Sequence, residues 1–384
     1  MKGCYLLGSL NRGGTETLLL DVCRNSGAAP FAMVLVHRRG GALESDFAAT
    51  GVKMYHLEHS RRRLWAYIRR LRRVLLDEKV DIVHAQQAVD AVYARLACQG
   101  TKVRVVETFH GYDMESSSFS KWLNRLSIRL SDRVCFVSLT QRDYYVKAYG
   151  LQRCADKVCV VYNGIDMSKF SKQYEEPDFI RHIDSATAEK KVSSSTSERR
   201  IRMAMVGNFV SVRSQNYPLM SIQLLKEQGI DDFDFYFVGR RNDKEPWRYD
   251  DCVRYAEEHH LDNVHFVGGR SDVPAILQHI DAFVYSTDHD TFGIAVVEAM
   301  AAGVPVFVND WSVMCEVVIR GGYSRSSLWQ SHNYKDLAER LKSFVSAPEA
   351  YKEQADKLRQ TVRDTYGIEA HLCRLNMIDK QIVS

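Results

Sequence analysis

Short apolar runs bounded by turn residues alternate with helix-periodic segments along the chain. The runs are rich in Val, Ile, Phe and Leu and lack polar alternation, which is typical of strands covered on both faces. In the first block the predicted strands are residues 3–7, 31–36, 80–83, 103–108, 133–137 and 157–161, with helices at 15–24, 88–97 and 121–130. In the second block the predicted strands are residues 202–206, 234–238, 264–267, 282–286 and 304–308. The repeated strand–helix–strand order predicts an α/β protein with parallel sheets and right-handed crossovers.

A polar stretch separates the two blocks of strands. It is rich in serine and charged residues and has no apolar period, so residues 166–200 are predicted to form a surface linker. The expected organisation is one doubly wound domain at 1–165 and a second at 201–366. Two such domains leave a cleft between them, and ligands of these folds bind beyond the carboxyl ends of the strands. Function is therefore expected at that cleft.

Charge and cysteine usage exclude several classes of protein. The 384 residues carry a net charge of +4, too balanced for nucleic-acid binding, although residues 1–163 carry +10 and the rest −6. The nine cysteines are scattered without a CxxC pair, which is typical of a reduced intracellular protein. No window approaches the ~18 consecutive apolar residues of a membrane-spanning helix, and the first apolar run is too short for a signal peptide. A soluble cytoplasmic protein is expected.

The most informative stretch is residues 288–310, DHDTFGIAVVEAMAAGVPVFVND. A tight loop holds Asp290, and the predicted helix after it carries Glu298, about 2.2 turns further on. The free N–H groups of such a helix start favour a phosphate, and the carboxylates suit hydroxyls of a sugar or ribose. An ordinary crossover helix capped by Asp290, with Glu298 in solvent, fits the same spacing. The sequence lacks the motifs typical of NAD-dependent dehydrogenases and of P-loop NTP hydrolases, because neither GxGxxG after the first strand nor GxxxxGK[ST] occurs.

Within this stretch, DTFGIAVVEAMAAGVPV resembles the glutamate–seven-residues–glutamate signature of glycosyltransferase family 4, retaining enzymes of the GT-B fold. Further segments resemble the family in the same order: NRGGTE at 11–16, TFHGYD at 108–113, VYNGIDMSKF at 161–170, the loop at 206–213 and VGGRSDVPAIL at 267–277. The resemblance implies two Rossmann-like domains facing across a cleft, with a C-terminal helix at 367–384 that crosses back onto the first domain. Two positions depart from the family. Asp290 replaces the first glutamate, and Asn208 replaces an arginine of the pyrophosphate loop, which keeps Arg213.

The resemblance also implies roles for individual residues. Catalytic roles are expected for His110, Arg213 and Asp290. Donor binding is expected of Gly13, Gly14, Asn208, Arg213, Asp290, Thr291, Phe292, Gly293 and Glu298. In this assignment Arg213 and the helix start stabilise the departing diphosphate, Asp290 holds sugar hydroxyls and Glu298 holds the ribose diol. Gly13 and Gly14 bring backbone N–H groups close to the diphosphate, and His110 faces the transferred sugar. No metal and no other cofactor is expected.

Residues 61–73 read RRRLWAYIRRLRR, with seven arginines and no acid. Leu64, Trp65, Ile68, Leu71 and Leu75 fall on one helical stripe, which predicts a basic amphipathic helix. Anionic membrane surfaces attract such helices. The acceptor or membrane side is therefore assigned to Arg61, Arg62, Arg63, Trp65, Arg69, Arg70 and His84. A core-packed helix with a solvated basic face fits the same pattern.

The leading hypothesis is a retaining, metal-independent glycosyltransferase. It moves a sugar from a UDP- or GDP-sugar to a glycan or lipid-linked acceptor in polysaccharide or envelope biosynthesis, in the cytoplasm or peripheral to the inner face of the membrane. One alternative is a catalytically weak or inactive sugar-nucleotide-binding member, which the Asn208 and Asp290 departures favour. Another is a nucleotide-sugar epimerase, or a phosphorylase, of the same architecture. A phosphorylase needs a lysine that anchors pyridoxal phosphate, and nothing in the sequence marks one.

Overall fold

The computed structural model describes residues 1–28, 32–59, 61–114, 116–190 and 199–383 of the chain. The chain divides into two compact units. The first unit is Met1–Asp166 with Tyr366–Ser384, and the second unit is Met167–Thr365. Each unit contains a parallel sheet flanked by helices, so the prediction of an α/β protein with two Rossmann-like sheets is confirmed.

The sheet of the first unit has seven strands: β1 (Lys2–Leu7), β2 (Ala32–His37), β3 (Lys53–His56), β4 (Ile82–Ala85), β5 (Arg104–Phe109), β6 (Arg133–Phe136) and β7 (Val158–Val160). Their order is β3-β2-β1-β4-β5-β6-β7, and all these pairs are parallel. The strand order reverses between β1 and β4. Ligands of doubly wound folds bind at such a reversal, beyond the carboxyl ends of the strands. The sequence pattern missed β3, because this short edge strand is only partly buried.

The helices of the first unit are α1 (Gly14–Arg24), α2 (Glu44–Ala48), α3 (Leu64–Asp77), α4 (Ala88–Ala97), α5 (Ser118–Leu130), α6 (Leu139–Tyr149) and, from the end of the chain, α15 (Ile368–Val383). The apolar side of α15 packs on this unit. Leu375 and Ile382 share a buried cluster with Ile82 of β4, and Leu372 packs with Leu18 of α1. Fully burying one such side chain contributes about 1.5–3 kcal/mol. Helix α15 is therefore an integral part of the first unit.

The sheet of the second unit has six strands: β8 (Ile201–Val206), β9 (Phe233–Val238), β10 (Val264–Gly268), β11 (Ala282–Tyr285), β12 (Val306–Asn309) and β13 (Leu328–Trp329). Its helices are α7 (Asp178–Lys190), α8 (Asn216–Glu227), α9 (Trp247–Glu258), α10 (Val273–Gln278), α11 (Ile294–Ala301), α12 (Ser312–Arg320), α13 (Tyr334–Ser346) and α14 (Pro348–Tyr366). The strand order β10-β9-β8-β11-β12-β13 reverses between β8 and β11. The loops after these two strands carry the Arg213 segment and the Asp290 segment, so the two predicted motifs meet at the reversal.

The segment predicted to be a linker differs from that expectation. Helix α7 lies within it, and Ile180 of this helix is completely buried. Arg202 of β8, itself buried, pairs with Glu176 at 2.6 Å and with Asp184 of α7. These ion pairs attach residues 176–184 to the second sheet. The sequence pattern missed the helix because its few apolar residues are diluted by charged ones.

Candidate functional site

Asp290 organises the loop between β11 and α11. Its Oδ1 accepts hydrogen bonds from the N–H groups of Thr291, Phe292 and Gly293 at 2.9, 3.4 and 3.2 Å. Gly293 caps α11 with a left-handed backbone at φ +80°, and a Cβ there would lie 2.7 Å from Cε of Met314. The loop therefore requires glycine at 293, both for its backbone conformation and for space.

Arg213 reaches the same loop from the carboxyl end of β8. Its Nη2 lies 3.2 Å from Oδ2 of Asp290, and its Nη1 donates to Oγ1 of Thr287 at 3.0 Å. The ring of Tyr285 lies against the guanidinium, 4.9 Å away, and the Tyr285 hydroxyl donates to Oδ2 of Asp290 at 2.8 Å. Burial works against the charge of Arg213, but Tyr285 and Asp290 together raise its pKa above the usual value. The structure thus holds a fixed guanidinium at the mouth of α11.

These contacts change the expected roles of the loop residues. The N–H groups of Thr291, Phe292 and Gly293, expected to bind the donor diphosphate, are directed to Asp290. The N–H groups of Val296 and Val297 bond to the carbonyl of Gly293. The first two helical N–H groups, at 294 and 295, have no carbonyl one turn earlier in the helix. Asp290 therefore takes up loop N–H groups that the sequence assigned to the diphosphate, and the first N–H groups of the helix itself come about two residues later.

Asn208, expected to bind the donor, also makes hydrogen bonds within the protein. Its side-chain Oδ1 accepts the backbone N–H of Arg240 at 3.0 Å, and its own carbonyl accepts from Nε2 of Gln215 at 3.2 Å. Asn208 thereby ties the loop after β8 to the loop after β9. Glu298 lies half-buried on the second turn of α11, eight residues beyond Asp290. Its predicted contact with a ribose stays a prediction.

Gly13 and Gly14 lie at the start of α1, beyond the carboxyl end of β1. Gly13 is the N-terminal cap with an extended backbone, and a Cβ there would lie 2.5 Å from Oε2 of Glu16. Gly14 is exposed. The first backbone N–H groups of α1 therefore lie at the reversal of the strand order in the first sheet. The sequence predicted that the backbone approaches the donor diphosphate closely at this point.

A small cavity with a mostly apolar lining lies in the first unit at the same edge. Its lining contains His110 after β5 and His371 of α15. Nε2 of His110 lies 2.7 Å from Oε1 of Gln86, and Nδ1 of His371 lies 2.7 Å from the carbonyl of Tyr162. Burial is the main cause that lowers the pKa of both histidines to about 4. His110 is thus a neutral, polar group in the lining of this cavity.

His84, assigned to the acceptor side from the sequence, is buried and lines the same cavity as His110. It is 1% exposed, its ring stacks on Tyr5 at 4.8 Å, and its Nε2 lies 3.1 Å from Oδ2 of Asp379. Sequence reasoning missed Gln86, His371 and Asp379. For His371 and Asp379 the sequence offered one signal: they are eight residues apart and interrupt the apolar stripe of α15.

The basic helix is partly as predicted. Tyr67, Ile68, Leu71 and Leu75 are buried, but Trp65 is 64% exposed and does not belong to the core stripe. A helix that turns its 68, 71 and 75 positions inward leaves position 65 at the margin of the buried face. The side chains of Arg62, Arg63, Arg69 and Arg70 are exposed, and that of Arg61 lies outside the described residues.

Neither a membrane span nor a metal cluster occurs in the part of the chain that the structure describes. Among these residues no helix is both long and apolar enough to cross a bilayer. The same residues contain no group of three or more His, Cys, Asp or Glu side chains placed to hold a metal ion. Metal independence and membrane attachment stay predictions.

Two family models match the chain. Residues 12–169 match the model described as Glycosyltransferase Family 4, and residues 187–363 match Glycosyl transferases group 1. One curated relative is the UDP-Gal:alpha-D-GlcNAc-diphosphoundecaprenol alpha-1,3-galactosyltransferase of Escherichia coli. It is 24% identical over 249 residues, which are 62% of this chain and 60% of the relative. The chain thus matches less than two thirds of that enzyme's length.

Solved structures match the whole chain. A glycosyltransferase from Rickettsia africae superposes with a TM-score of 0.81 at 17% identity, covering 100% of this chain and 99% of that one. Anabaena Alr3699/HepE in complex with UDP and glucose superposes with a TM-score of 0.78 at 17% identity, covering 99% and 100%. At such low identity these structures establish the fold, which is GT-B.

Proposed function

Because the chain belongs to glycosyltransferase family 4 and is a glycosyltransferase, we propose that it moves a sugar from a UDP- or GDP-sugar to a glycan or lipid-linked acceptor, with retention of anomeric configuration and without a metal. The observation that carries the proposal is the fixed guanidinium of Arg213 at the mouth of α11. A diphosphate leaving group develops negative charge, and preorganised donors at that position stabilise it. Arginine and a helix start supply such donors without a metal ion.

The relatives favour UDP over GDP and a lipid-linked acceptor. The E. coli relative is named for UDP-Gal and for an acceptor on diphosphoundecaprenol, and the Anabaena structure holds UDP and glucose. The proposed acceptor class is accordingly a sugar on a lipid diphosphate, used in polysaccharide or envelope biosynthesis. A cytoplasmic location at the inner face of the membrane follows from such an acceptor.

A panel of UDP- and GDP-sugars tests the proposal, because a bound nucleotide raises the apparent stability by mass action. The expected result is a thermal shift with one nucleotide class and transfer of its sugar to a lipid-diphosphate acceptor, with retention visible in the product by NMR. Activity that survives a chelator supports metal independence. Transfer with inversion contradicts the proposed retention. If the chelator abolishes transfer and added Mg²⁺ restores it, metal independence is contradicted.

Glu298→Ala is expected to weaken nucleotide binding about 10-fold or more, since a hydrogen bond to a charged group contributes about 1.5–3 kcal/mol. Isothermal calorimetry with UDP measures the change, and circular dichroism checks the fold. Glu316→Ala, on the next helix α12, is the matched control. Unchanged UDP affinity in a folded Glu298→Ala protein contradicts the ribose-binding role.

A sugar-nucleotide-binding protein without turnover is the second candidate, and two observations favour it. Both carboxylate oxygens of Asp290 already have partners, and Asn208 binds the neighbouring loop where the family has a cation. Such a protein binds the donor but neither transfers nor hydrolyses its sugar. The same panel, followed for product as well as for binding, separates the two candidates.

We also retain the proposal that α3 contacts an anionic membrane surface. Replacing Arg62, Arg63, Arg69 and Arg70 with glutamate is expected to abolish binding to anionic vesicles, because each cation near such a surface contributes about 1 kcal/mol. Co-sedimentation with phosphatidylglycerol vesicles and with neutral phosphatidylcholine vesicles measures the effect. Arg254→Glu, an exposed residue of α9, is the single-charge control. Wild-type binding that depends on neither lipid charge nor salt concentration contradicts the proposal.

A further inference from the structure

The side chain of Arg38 crosses the carboxyl edge of the first sheet. Arg38 follows β2 directly, and its partners Gln87 and Asp90 follow β4. Because β1 lies between β2 and β4, the side chain passes over the carboxyl end of β1. Gly8 follows β1, and a Cβ there would lie 3.1 Å from Nη2 of Arg38 and 3.0 Å from Oε1 of Gln87. The glycine thus leaves room for a guanidinium at the reversal of the strand order, where ligands of such folds bind.

A buried carboxylate holds one edge of this guanidinium. Nε of Arg38 lies 2.9 Å from Oδ1 of Asp90, and Nη2 donates to Oδ2 of Asp90 at 3.2 Å and to Oε1 of Gln87 at 3.0 Å. Asp90 is completely buried, and burial raises its pKa to about 6 against the opposing effect of Arg38. The carboxylate is therefore ionised at neutral pH, and it fixes Arg38 through Nε and Nη2.

The third nitrogen of the guanidinium is left for another acceptor. Among the residues that the structure describes, none accepts a hydrogen bond from Nη1 of Arg38. This nitrogen is not closed off from solvent, and the side chain as a whole is 13% exposed. A guanidinium held by two of its nitrogens, with the N–H groups of the third open, is a preorganised donor for a phosphate or carboxylate oxygen.

The backbone around Arg38 carries further positive charge. The loop after β1 (residues 8–13) and the loop after β2 (residues 38–43) are joined by a backbone hydrogen bond of 2.9 Å. Besides Arg38 they contain the exposed Arg12 and Arg39, and neither loop contains an acid. Charge and geometry together therefore favour an anion at this point.

We infer that Arg38 binds a phosphate of the acceptor's lipid diphosphate through Nη1, and that it thereby selects acceptors that carry this charge. The inference rests on the proposed function, in which the acceptor is a sugar on a lipid diphosphate. That reaction brings two diphosphates to the protein. Arg213 of the second unit is assigned to the diphosphate of the donor, and the first unit supplies Arg38 for that of the acceptor.

Calorimetry of the full chain with farnesyl diphosphate, a lipid diphosphate without a sugar, measures the binding without any turnover. UDP is kept at saturation to occupy the donor site, and farnesol is the uncharged comparison. Wild type is expected to prefer farnesyl diphosphate to farnesol. Arg38→Gln is expected to lower the affinity for farnesyl diphosphate about 10-fold or more, because a hydrogen bond between charged groups is lost. Equal affinity in Arg38→Gln and wild type, or no preference over farnesol in wild type, overturns the inference.

Two further variants separate the loss of the cation from damage to the fold. Arg38→Gln leaves the buried carboxylate of Asp90 unpaired, which is strongly destabilising, whereas Arg38→Gln with Asp90→Asn removes both charges. The double variant is expected to show the same loss of affinity with an unchanged circular dichroism spectrum. Asp90→Asn alone keeps the guanidinium and is expected to lose less. An equal loss in Asp90→Asn contradicts direct binding by Arg38.

Arg104→Gln is the control for removing an arginine from this unit. Arg104 begins β5, at the opposite edge of the same sheet, and forms an exposed pair with Asp132 at 3.3 Å. Such a pair contributes little, and unchanged affinity for farnesyl diphosphate is expected. A loss equal to that of Arg38→Gln shows an effect of overall charge and contradicts a site at Arg38.

Transfer kinetics distinguish the acceptor from the donor. The charged acceptor is N-acetylglucosaminyl-diphospho-farnesol, a short analogue of the acceptor named for the E. coli relative, and decyl N-acetylglucosaminide is the neutral one. Arg38→Gln is expected to raise KM about 10-fold or more for the charged acceptor alone. A rise in donor KM instead assigns Arg38 to the donor diphosphate and contradicts the inference. Wild type that transfers to neither acceptor contradicts the proposed function, whereas calorimetry with farnesyl diphosphate still decides the role of Arg38.

Discussion

Arg213→Ala is expected to lower kcat/KM for sugar transfer about 100- to 1000-fold, the range for losing one donor to developing charge. Two effects act in the same direction. The guanidinium that faces the leaving diphosphate is lost, and the carboxylate of Asp290, now 3.2 Å from Nη2 of Arg213, stays at the site without its cation. An uncompensated carboxylate repels the diphosphate, so both donor binding and turnover suffer.

Two further variants separate charge from geometry. Arg213→Lys keeps the charge but lacks the planar fork that reaches Asp290 and Thr287 together, so an intermediate loss is expected. Arg241→Ala is the matched control, because it breaks an exposed arginine–aspartate pair, with Asp250, in the same unit. Such an exposed pair contributes little, and near wild-type kcat/KM is expected. Activity of Arg213→Ala within about 10-fold of wild type would show that this guanidinium does not stabilise the leaving group.

The architecture was predictable because hydrophobic periodicity determines it. Strands buried on both faces, such as β1 and β8, appear in the sequence as mainly apolar runs within one residue of the observed length. The edge strands β3 and β13 were missed, since they are short and β3 is only half covered. Helix α7 was missed because it is held by an ion pair of Asp184 with Arg202 and, among its described side chains up to residue 185, by one that is fully buried, Ile180, and neither leaves a period in the sequence.

The position of the candidate site was predictable from the sequence, but the hydrogen bonds within it were not. The Arg213 loop and the Asp290 loop follow β8 and β11, the strands on either side of the reversal in the second sheet, and strand order alone brings these two loops together. Which hydrogen bonds form inside the site depends on side-chain length. An aspartate is short enough to fold back onto the N–H groups of its own loop, whereas Asp290 was expected to point outward to a sugar. The burial of His84 depends on α15, which comes from 295 residues further along the chain.

Asp290→Ala is expected to lower both stability and activity. The three N–H groups of Thr291, Phe292 and Gly293 lose their common acceptor, a change that costs about 0.5–2 kcal/mol at a helix start. For a unit of this size each kcal/mol lowers Tm by about 2–4 °C. Arg213 loses its anchor and becomes free to turn away, so kcat/KM is expected to fall about 100-fold. Differential scanning calorimetry and donor kinetics measure the two losses separately.

Conservative variants at position 290 distinguish an anchoring role from direct contact with the sugar. Asp290→Asn keeps an oxygen for the loop N–H groups, so Tm is expected to stay near wild type while the weakened pairing with Arg213 lowers kcat. Asp290→Glu restores the family's residue, but its extra methylene moves the carboxylate off the three N–H groups, so Tm is expected to fall. A double-mutant cycle with Arg213→Ala completes the test, because residues that act as one unit give strongly non-additive losses. Additive losses, or a more active and equally stable Asp290→Glu protein, would show that the carboxylate acts on the sugar rather than through Arg213.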